Sequence, residues 1–135
     1  MAATPEEILA QAVKQLQSAS SDADYRSVIV AAYYGAYHAV VKLEERFPHR
    51  SQSTVKKSGS HEALLVRLEN PNPKLDYGLR VIGSELAEQM RVIKALRELA
   101  SYDPDEDVRV DQAEQTILIA KDIMAECARA HKKIN

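Results

Sequence analysis

The sequence predicts an all-α protein, an up-and-down four-helix bundle with one additional short helix. Apolar residues recur at three- and four-residue intervals along most of the chain, and short segments rich in proline, serine or charge separate these stretches. No segment shows the alternation of apolar and polar residues that is typical of a half-buried strand. The 135 residues suffice for one domain with a real core, which we place over residues 1–135.

The first helix is predicted to begin at Thr4. Thr4 is a good N-cap, Pro5 suits the first helical position, and Glu6 and Glu7 are typical of a first turn. The run SASSD at residues 18–22 ends this helix, and either Ser21 or Asp22 can cap the next one. Its apolar face comprises Leu9, Ala12, Val13 and Leu16.

The second helix, over Asp24–Phe47, is the stretch around which the fold is organised. It is apolar on almost all sides, which is typical of a helix buried by several neighbours. Buried Tyr and His need hydrogen-bond partners, so the polar residues of this helix are either satisfied core residues or part of a site. Its small residues, which allow another helix to approach closely, are Ala32, Gly35, Ala36 and Ala39. Its polar residues are Arg26, Tyr33, Tyr34, Tyr37 and His38.

Residues 48–60 are polar, so we expect a mobile loop after the second helix. Between Lys42 and Arg67 there are six Lys and Arg against three Asp and Glu. Such an excess is typical of a solvated loop, but it would also suit a lip that attracts phosphate, with Lys56 and Lys57 as candidate binding residues.

A short third helix is expected over Ser60–Glu69, with Ser60 as its N-cap and His61 in its first turn. The fourth helix runs from about Leu75 to Ala100, and its helical period places Arg97 in line with an apolar stripe. An isolated buried charge is very costly, so Arg97 is either a structural arginine at a helix end or part of a site. The stripe comprises Leu79, Ile82, Leu86, Met90 and Ile93.

The segment SYDPDED, residues 101–107, separates the fourth helix from the fifth, because Pro104 cannot continue a helix. The fifth helix is expected over Val110–Lys132. Ile119 and Ile123 are expected on a second apolar face, which suggests burial against a second subunit. The first face comprises Val110, Ala113, Ile117, Met124 and Ala128.

The composition narrows the function classes. The formal net charge of −2 disfavours nucleic-acid binding by bulk charge, although a local basic patch remains open. The sequence has no phosphate-binding glycine loop and no Glu-x-x-His signature of a di-metal bundle, so we expect no metal and no other cofactor. One cysteine, no secretory signal and no membrane-spanning run together predict a cytoplasmic protein.

The polar residues that remain suit phosphate. Arg97 and Tyr102 lie at the end of the fourth helix, and inside a bundle they would form one polar group with Arg26, the tyrosines and His38 of the second helix. Arginine presents a planar fork that matches phosphate, and tyrosine offers hydroxyl donors. This combination indicates a site for a phosphodiester or a nucleotide, with His61 as a further candidate.

Three segments resemble small prokaryotic HEPN-domain proteins (higher eukaryote and prokaryote nucleotide-binding). The run RSVIVAAYYGAYHA at residues 26–39 is similar to their S-R-A-Y-Y-A-A-F-H-A helix, and GSHEA at residues 59–63 to the start of their next short helix. The segment LRELASYDP at residues 96–104 resembles their L-R-x-x-A-D-Y-D segment. The resemblance covers most of residues 22–128.

The resemblance implies a helical domain that forms a homodimer. Many members are metal-independent ribonucleases in toxin–antitoxin or defence pairs with a nucleotidyltransferase antitoxin, and they use an arginine and a histidine four to six residues later. Arg97 matches the arginine and would contact the phosphate of RNA. Tyr102, Asp103 and Pro104 stand where the histidine is expected, with Tyr102 in its place. Two readings therefore stay open, an enzyme that uses Arg97 and Tyr102, and an inactive module that binds a nucleotide or a partner protein.

Overall fold

The computed structural model describes residues 2–53 and 59–135. Over these residues the chain forms a bundle of five α-helices without strands, so the predicted all-α class is confirmed. No helix of the described ranges is long and apolar enough to cross a membrane. The helices are α1 (Pro5–Gln17), α2 (Asp22–Glu45), α3 (Ser60–Glu69), α4 (Tyr77–Tyr102) and α5 (Val110–Ile134).

Capping residues set the start of two helices as predicted. The Thr4 hydroxyl accepts a hydrogen bond from the Glu7 amide at 3.1 Å, and the Glu7 carboxylate accepts one from the Thr4 amide. Of the two candidates for α2, Ser21 is the N-cap, and its hydroxyl accepts from the amide of Asp24 at 3.2 Å. Each cap satisfies an amide that the first helical turn would otherwise leave without a partner.

Several helix ends differ from the predicted ones. α2 ends at Glu45 rather than Phe47, and the Phe47 side chain packs into the core. α4 begins at Tyr77 rather than Leu75, because the Asp76 carboxylate caps it, and it extends through Tyr102. α5 ends at Ile134, one half-turn beyond the predicted end.

Helix α2 packs against all four other helices of the described chain. A Cβ atom on Gly35 would lie 3.2 Å from the Pro5 carbonyl oxygen and 3.3 Å from the Leu9 nitrogen of α1. The expected close approach of a helix to the small residues of α2 is therefore confirmed, and α1 is the helix that makes it.

The apolar stripe predicted on α4 is buried along its whole length, and Arg97 follows it as a partly buried residue. The predicted second face of α5 is wrong for Ile123, which is fully buried in the core of the single chain, while Ile119 packs partly against that core. Two residues of the predicted first face are also wrong, because Val110 is 44% exposed and Ala128 is exposed as well. The buried face of α5 comprises Ala113, Thr116, Ile117, Ala120, Ile123, Cys127 and Ala130.

Candidate functional site

Three helices bring most of the predicted site residues together in one group, here called the Arg97 cluster. The last turns of α4 supply Arg97 and Tyr102, and the first turn of α3 supplies His61. The middle of α2 supplies four residues that project on neighbouring turns, and they are Tyr33, Tyr34, Tyr37 and His38. Residues four apart share a helix face, so the tyrosine and histidine pairs predicted on α2 are adjacent, each with ring centroids 6.2 Å apart.

Tyr33 lies at the centre of the cluster and is fully buried. Its hydroxyl forms a hydrogen bond of 2.6 Å with Nδ1 of His61. The His61 ring stacks on Tyr37, with a centroid distance of 4.1 Å and an interplanar angle of 8°. A hydrogen bond and a stacked ring therefore fix both the position and the orientation of His61.

The Arg97 guanidinium is held by aromatic rings. Its Cζ atom lies 5.5 Å from the ring centroid of Tyr33, 5.7 Å from that of Tyr34 and 5.4 Å from that of Tyr102. Within the described residues it makes one hydrogen bond, a long one of 3.4 Å from Nη2 to the Tyr34 hydroxyl, and its buried Nε has no partner. The rings thus hold the guanidinium largely by cation–π contact.

The ion pairs of the described residues leave Arg97 out. Two turns earlier on α4, Arg91 is bound by Glu62 at 2.9 Å and by Glu69 at 2.7 Å. The contrast is informative, because a partly buried guanidinium without a carboxylate has donors to offer to another anion.

The electrostatics of the cluster separate the roles of its members. Burial lowers the pKa of His61, and the nearby Arg97, Lys94 and His38 lower it further, so the ring is neutral near pH 7. Burial also raises the pKa of Tyr33, which therefore keeps its proton. Burial opposes the charge of Arg97, but the Tyr34 hydrogen bond and the nearby tyrosines raise its pKa.

Arg26 lies apart from this group and binds the end of α4. It pairs with Asp22 at 2.7 Å and donates hydrogen bonds to the carbonyls of Leu99 at 3.3 Å, Ala100 at 3.0 Å and Glu106. Two of these carbonyls belong to the last turn of α4, where the helix itself supplies few donors, and the third lies in the segment after it. Arg26 thus lies against the end of α4 and holds the chain that follows it.

The other candidates fall in three places. His38 is exposed and stacks on Tyr34, so its interpretation as a core histidine is wrong. Tyr102 is 69% exposed and lies at the rim of the cluster. Lys56 and Lys57 lie outside the described residues, as do residues 54, 55 and 58 of the predicted loop around them.

One residue beside the site was missed by the sequence patterns. Lys94 lies one turn before Arg97 and forms ion pairs with Glu62 at 3.4 Å and Glu98 at 3.1 Å. The spacing of three residues from Arg97 was the available signal, since it puts both cations on one side of α4. The described residues contain no group of three or more His, Cys, Asp or Glu arranged to hold a metal ion.

Comparisons with known proteins leave the chain without an assigned relative. No protein-family model, no curated protein and no solved structure matches it. The argument about function therefore rests on the geometry of the Arg97 cluster.

Proposed function

We propose that the chain binds RNA through the Arg97 cluster, with Arg97 as the residue that contacts the phosphate. One observation carries this proposal. Arg97 is a charged, partly buried guanidinium that three tyrosine rings hold in place, and none of the carboxylates in the described residues pairs with it.

The surroundings of Arg97 support a nucleic acid rather than a simple anion. The end of the guanidinium can donate two parallel hydrogen bonds to phosphate oxygens. Tyr102 beside it is 69% exposed, and an exposed aromatic face is a common stacking partner for an unpaired base. A phosphate contact next to a stacking surface is the usual arrangement of a site for single-stranded RNA.

Metal-independent cleavage of the bound RNA is the enzymatic form of this proposal. Cleavage would need Arg97 to contact the phosphate and a second group to transfer a proton. Tyr102 occupies the position predicted for this second group. The alternative is a catalytically inactive module of the HEPN fold that binds a nucleotide or a partner protein. The absence of histidine at residues 102–104 favours this alternative, because tyrosine at its ordinary pKa of about 10 is a poor base near neutrality.

The wider setting follows the same resemblance. We propose an up-and-down arrangement of the four longer helices, a homodimer and a cytoplasmic role in a toxin–antitoxin or defence pair with a nucleotidyltransferase antitoxin. Contacts of α2 with α1, α4 and α5, and of α4 with α5, support the bundle arrangement. Light scattering at micromolar concentration tests the dimer, and a monomer would contradict it.

Fluorescence anisotropy with a labelled single-stranded RNA, in a buffer that contains a metal chelator, tests the binding. We expect Arg97→Ala to weaken binding roughly 10-fold or more, because it removes charged hydrogen bonds to phosphate. The slope of log affinity against log salt concentration should also become shallower by about one, because one phosphate contact is lost. The matched control is Arg80→Ala, since Arg80 lies on the same helix and its Cζ is 5.4 Å from the ring centroid of Tyr77.

Two results distinguish the proposals. Equal affinity of the parent and Arg97→Ala, with both proteins folded, would contradict an Arg97-centred site. Gel analysis of the same RNA after incubation separates binding from cleavage. Cleavage that is lost in both Arg97→Ala and Tyr102→Phe supports the enzyme, and binding without cleavage supports the inactive module.

A further inference from the structure

We propose that His61 is the second hydrogen-bond donor of the Arg97 cluster and that its Nε2–H binds the same RNA phosphodiester as Arg97. The buried Tyr33 hydroxyl holds the His61 ring in the tautomer that this contact requires. The inference rests on the proposed function and adds a defined role for a neutral histidine. It also makes His61 a binding residue rather than the base of a cleavage reaction.

The tautomer follows from the hydrogen bond of Tyr33. Its hydroxyl is fully buried, and its one hydrogen bond within the described residues is to Nδ1 of His61 at 2.6 Å. A buried hydroxyl that keeps its proton needs an acceptor, because an unmade hydrogen bond in the interior is costly. The Tyr33 O–H therefore donates to Nδ1, and in a neutral imidazole the ring proton must then lie on Nε2.

The same bond disfavours a charged ring. Protonation of His61 would add the ring's second proton at Nδ1, directly against the Tyr33 hydroxyl. That hydroxyl would then lose its acceptor. The positively charged groups near the ring, Arg97, Lys94 and the titratable His38, act in the same direction. Glu62, the neighbour of His61 on α3, is already bound by Arg91 and Lys94, so it offers little compensation.

Both donors lie against the same two tyrosine rings, those of Tyr33 and Tyr34. The His61 ring centroid lies 5.4 Å from that of Tyr33, and the Arg97 Cζ lies 5.5 Å from the same centroid. Tyr34 connects them, because its ring is edge-on to His61 with a centroid distance of 6.0 Å and its hydroxyl accepts from Arg97. A phosphodiester has two non-bridging oxygens, so Arg97 can bind one and His61 Nε2–H the other.

This tautomer has a consequence for the chemistry. The lone pair of His61 points at Tyr33, and the outward nitrogen carries a proton. His61 therefore donates to the ligand but takes no proton from a ribose hydroxyl through Nε2. The cluster holds RNA with two donors and lacks a histidine base at this position.

NMR of the free, isotope-labelled protein tests the tautomer without any ligand. Long-range correlation of the imidazole nitrogens with the ring protons should show His61 as the neutral Nε2–H form near pH 7. In Tyr33→Phe, which keeps the ring but removes the donor, this preference should be lost. A neutral Nδ1–H form, or a charged ring near pH 7, would overturn the inference.

Binding of the labelled RNA tests the role. We expect His61→Ala to weaken binding about 3- to 10-fold, the loss for one hydrogen bond, and His61→Gln to bind within about 3-fold of the parent because its amide also donates. Circular dichroism checks that both variants are folded. Loss of binding in Arg97→Ala but not in His61→Ala would overturn this inference alone. No loss in Arg97→Ala would overturn the proposed function on which it rests.

Discussion

At the scale of single residues, Glu44 is a carboxylate outside the cluster that two arginines bind. This carboxylate is only 2% exposed, and it is bound by Arg50 at 2.5 Å and by Arg67 at 3.2 Å. These two arginines belong to the positive excess between Lys42 and Arg67 that suggested a phosphate-attracting lip. Within the described residues, both arginines bind the carboxylate of Glu44. Fewer positive charges of this segment are therefore free to attract phosphate.

Glu44→Gln should lower the free energy of unfolding by about 1–3 kcal/mol at pH 7, because two charge-assisted hydrogen bonds of a buried group are weakened. Burial raises the pKa of Glu44, but the hydrogen bonds from Arg50 and Arg67 outweigh it, so the folded-state pKa lies below the ordinary value of 4.5. The stabilisation is therefore present above about pH 4.5 and lost as the pH falls through the folded-state pKa. Urea unfolding at pH 7 and pH 3 measures it.

The matched control for this prediction is Glu45→Gln, since Glu45 is the exposed neighbour on the same helix. The control should change the free energy of unfolding by less than about 0.5 kcal/mol at either pH. A loss for Glu44→Gln that is equally large at pH 3 would contradict an electrostatic role, because a protonated carboxyl and an amide make similar contacts with arginine.

What the sequence reveals about single residues depends on whether the signal is local. Arg97 could be picked out because the period of one helix puts it in line with buried residues. The bond from Tyr33 to His61 and the bonds from Arg26 to Leu99 and Ala100 join positions far apart in the chain. No local pattern encodes such pairs, since they depend on how three helices pack.

At the scale of the helices, the starts of α1 and α2 were predictable, because capping side chains act within four residues of the helix they cap. The orientation of α5 was not, since rotation about a helix axis is set by its neighbours. Ile123 is buried because α5 packs against α1, α2 and α4. The sequence of α5 alone does not specify those partners.

Gly35→Ala and Gly83→Ala should affect stability differently. Both remove an interior helix glycine, which favours the helix by about 1 kcal/mol. A Cβ atom on Gly83 would meet the Leu68 side chain at an ordinary 3.5 Å. We therefore expect Gly83→Ala to raise the free energy of unfolding by about 1 kcal/mol. At Gly35 the Cβ would press on the backbone of α1, 3.2 Å from the Pro5 oxygen, and overpacking of this kind costs about 1–3 kcal/mol.

Thermal and urea unfolding of the two alanine variants checks this prediction. Gly83→Ala should be the more stable of the two, and Gly35→Ala should be no more stable than the parent. An equal gain in both would mean that α1 moves away from α2 at little cost, which would contradict a tight contact between these helices.

Arg26→Gln should fray the end of α4. It removes the charged donor that binds the Leu99, Ala100 and Glu106 carbonyls, and we expect a loss of about 1–2 kcal/mol in the free energy of unfolding. Hydrogen exchange should become faster in residues 100–108 first. Arg109→Gln is the control, because it removes an exposed arginine whose ion pair is with Asp111.

RNA affinity shows whether Arg26 also binds ligand. If its role is to hold the end of α4, the folded Arg26→Gln protein should bind RNA within about 3-fold of the parent, since no direct contact is lost. A loss as large as that of Arg97→Ala would contradict this structural role and would return Arg26 to the binding residues.

At the scale of the whole molecule, α3 is the least extensively packed helix of the described chain. Within the described residues it packs against α4 and, less extensively, α2, whereas α2 contacts every other helix. Arg91 of α4 binds Glu62 and Glu69 of α3, and Lys94 adds a contact with Glu62. The position of His61 relative to Arg97 therefore depends on this row of ion pairs as well as on the buried leucines of α3.

Arg91→Gln should loosen α3 without unfolding the protein. Each ion pair is partly exposed and is worth at most about 1 kcal/mol, so losing two should raise the rate of local opening several-fold. Hydrogen exchange measured by mass spectrometry should show faster exchange in α3 and an unchanged rate in α5. RNA binding should weaken as well, because the outward nitrogen of His61 would spend less time beside Arg97.

Two comparisons make this result specific. Arg129→Gln removes an ion pair with Glu126 on α5, far from α3 in sequence, and should leave α3 exchange unchanged. High salt should reproduce part of the Arg91→Gln effect in the parent, since screening weakens partly exposed pairs. Equal acceleration in α3 and α5 would show that the helices open together. The position of His61 would then depend on the packing of the core, because the buried Leu64, Leu65 and Leu68 of α3 would be sufficient to fix it without the ion pairs.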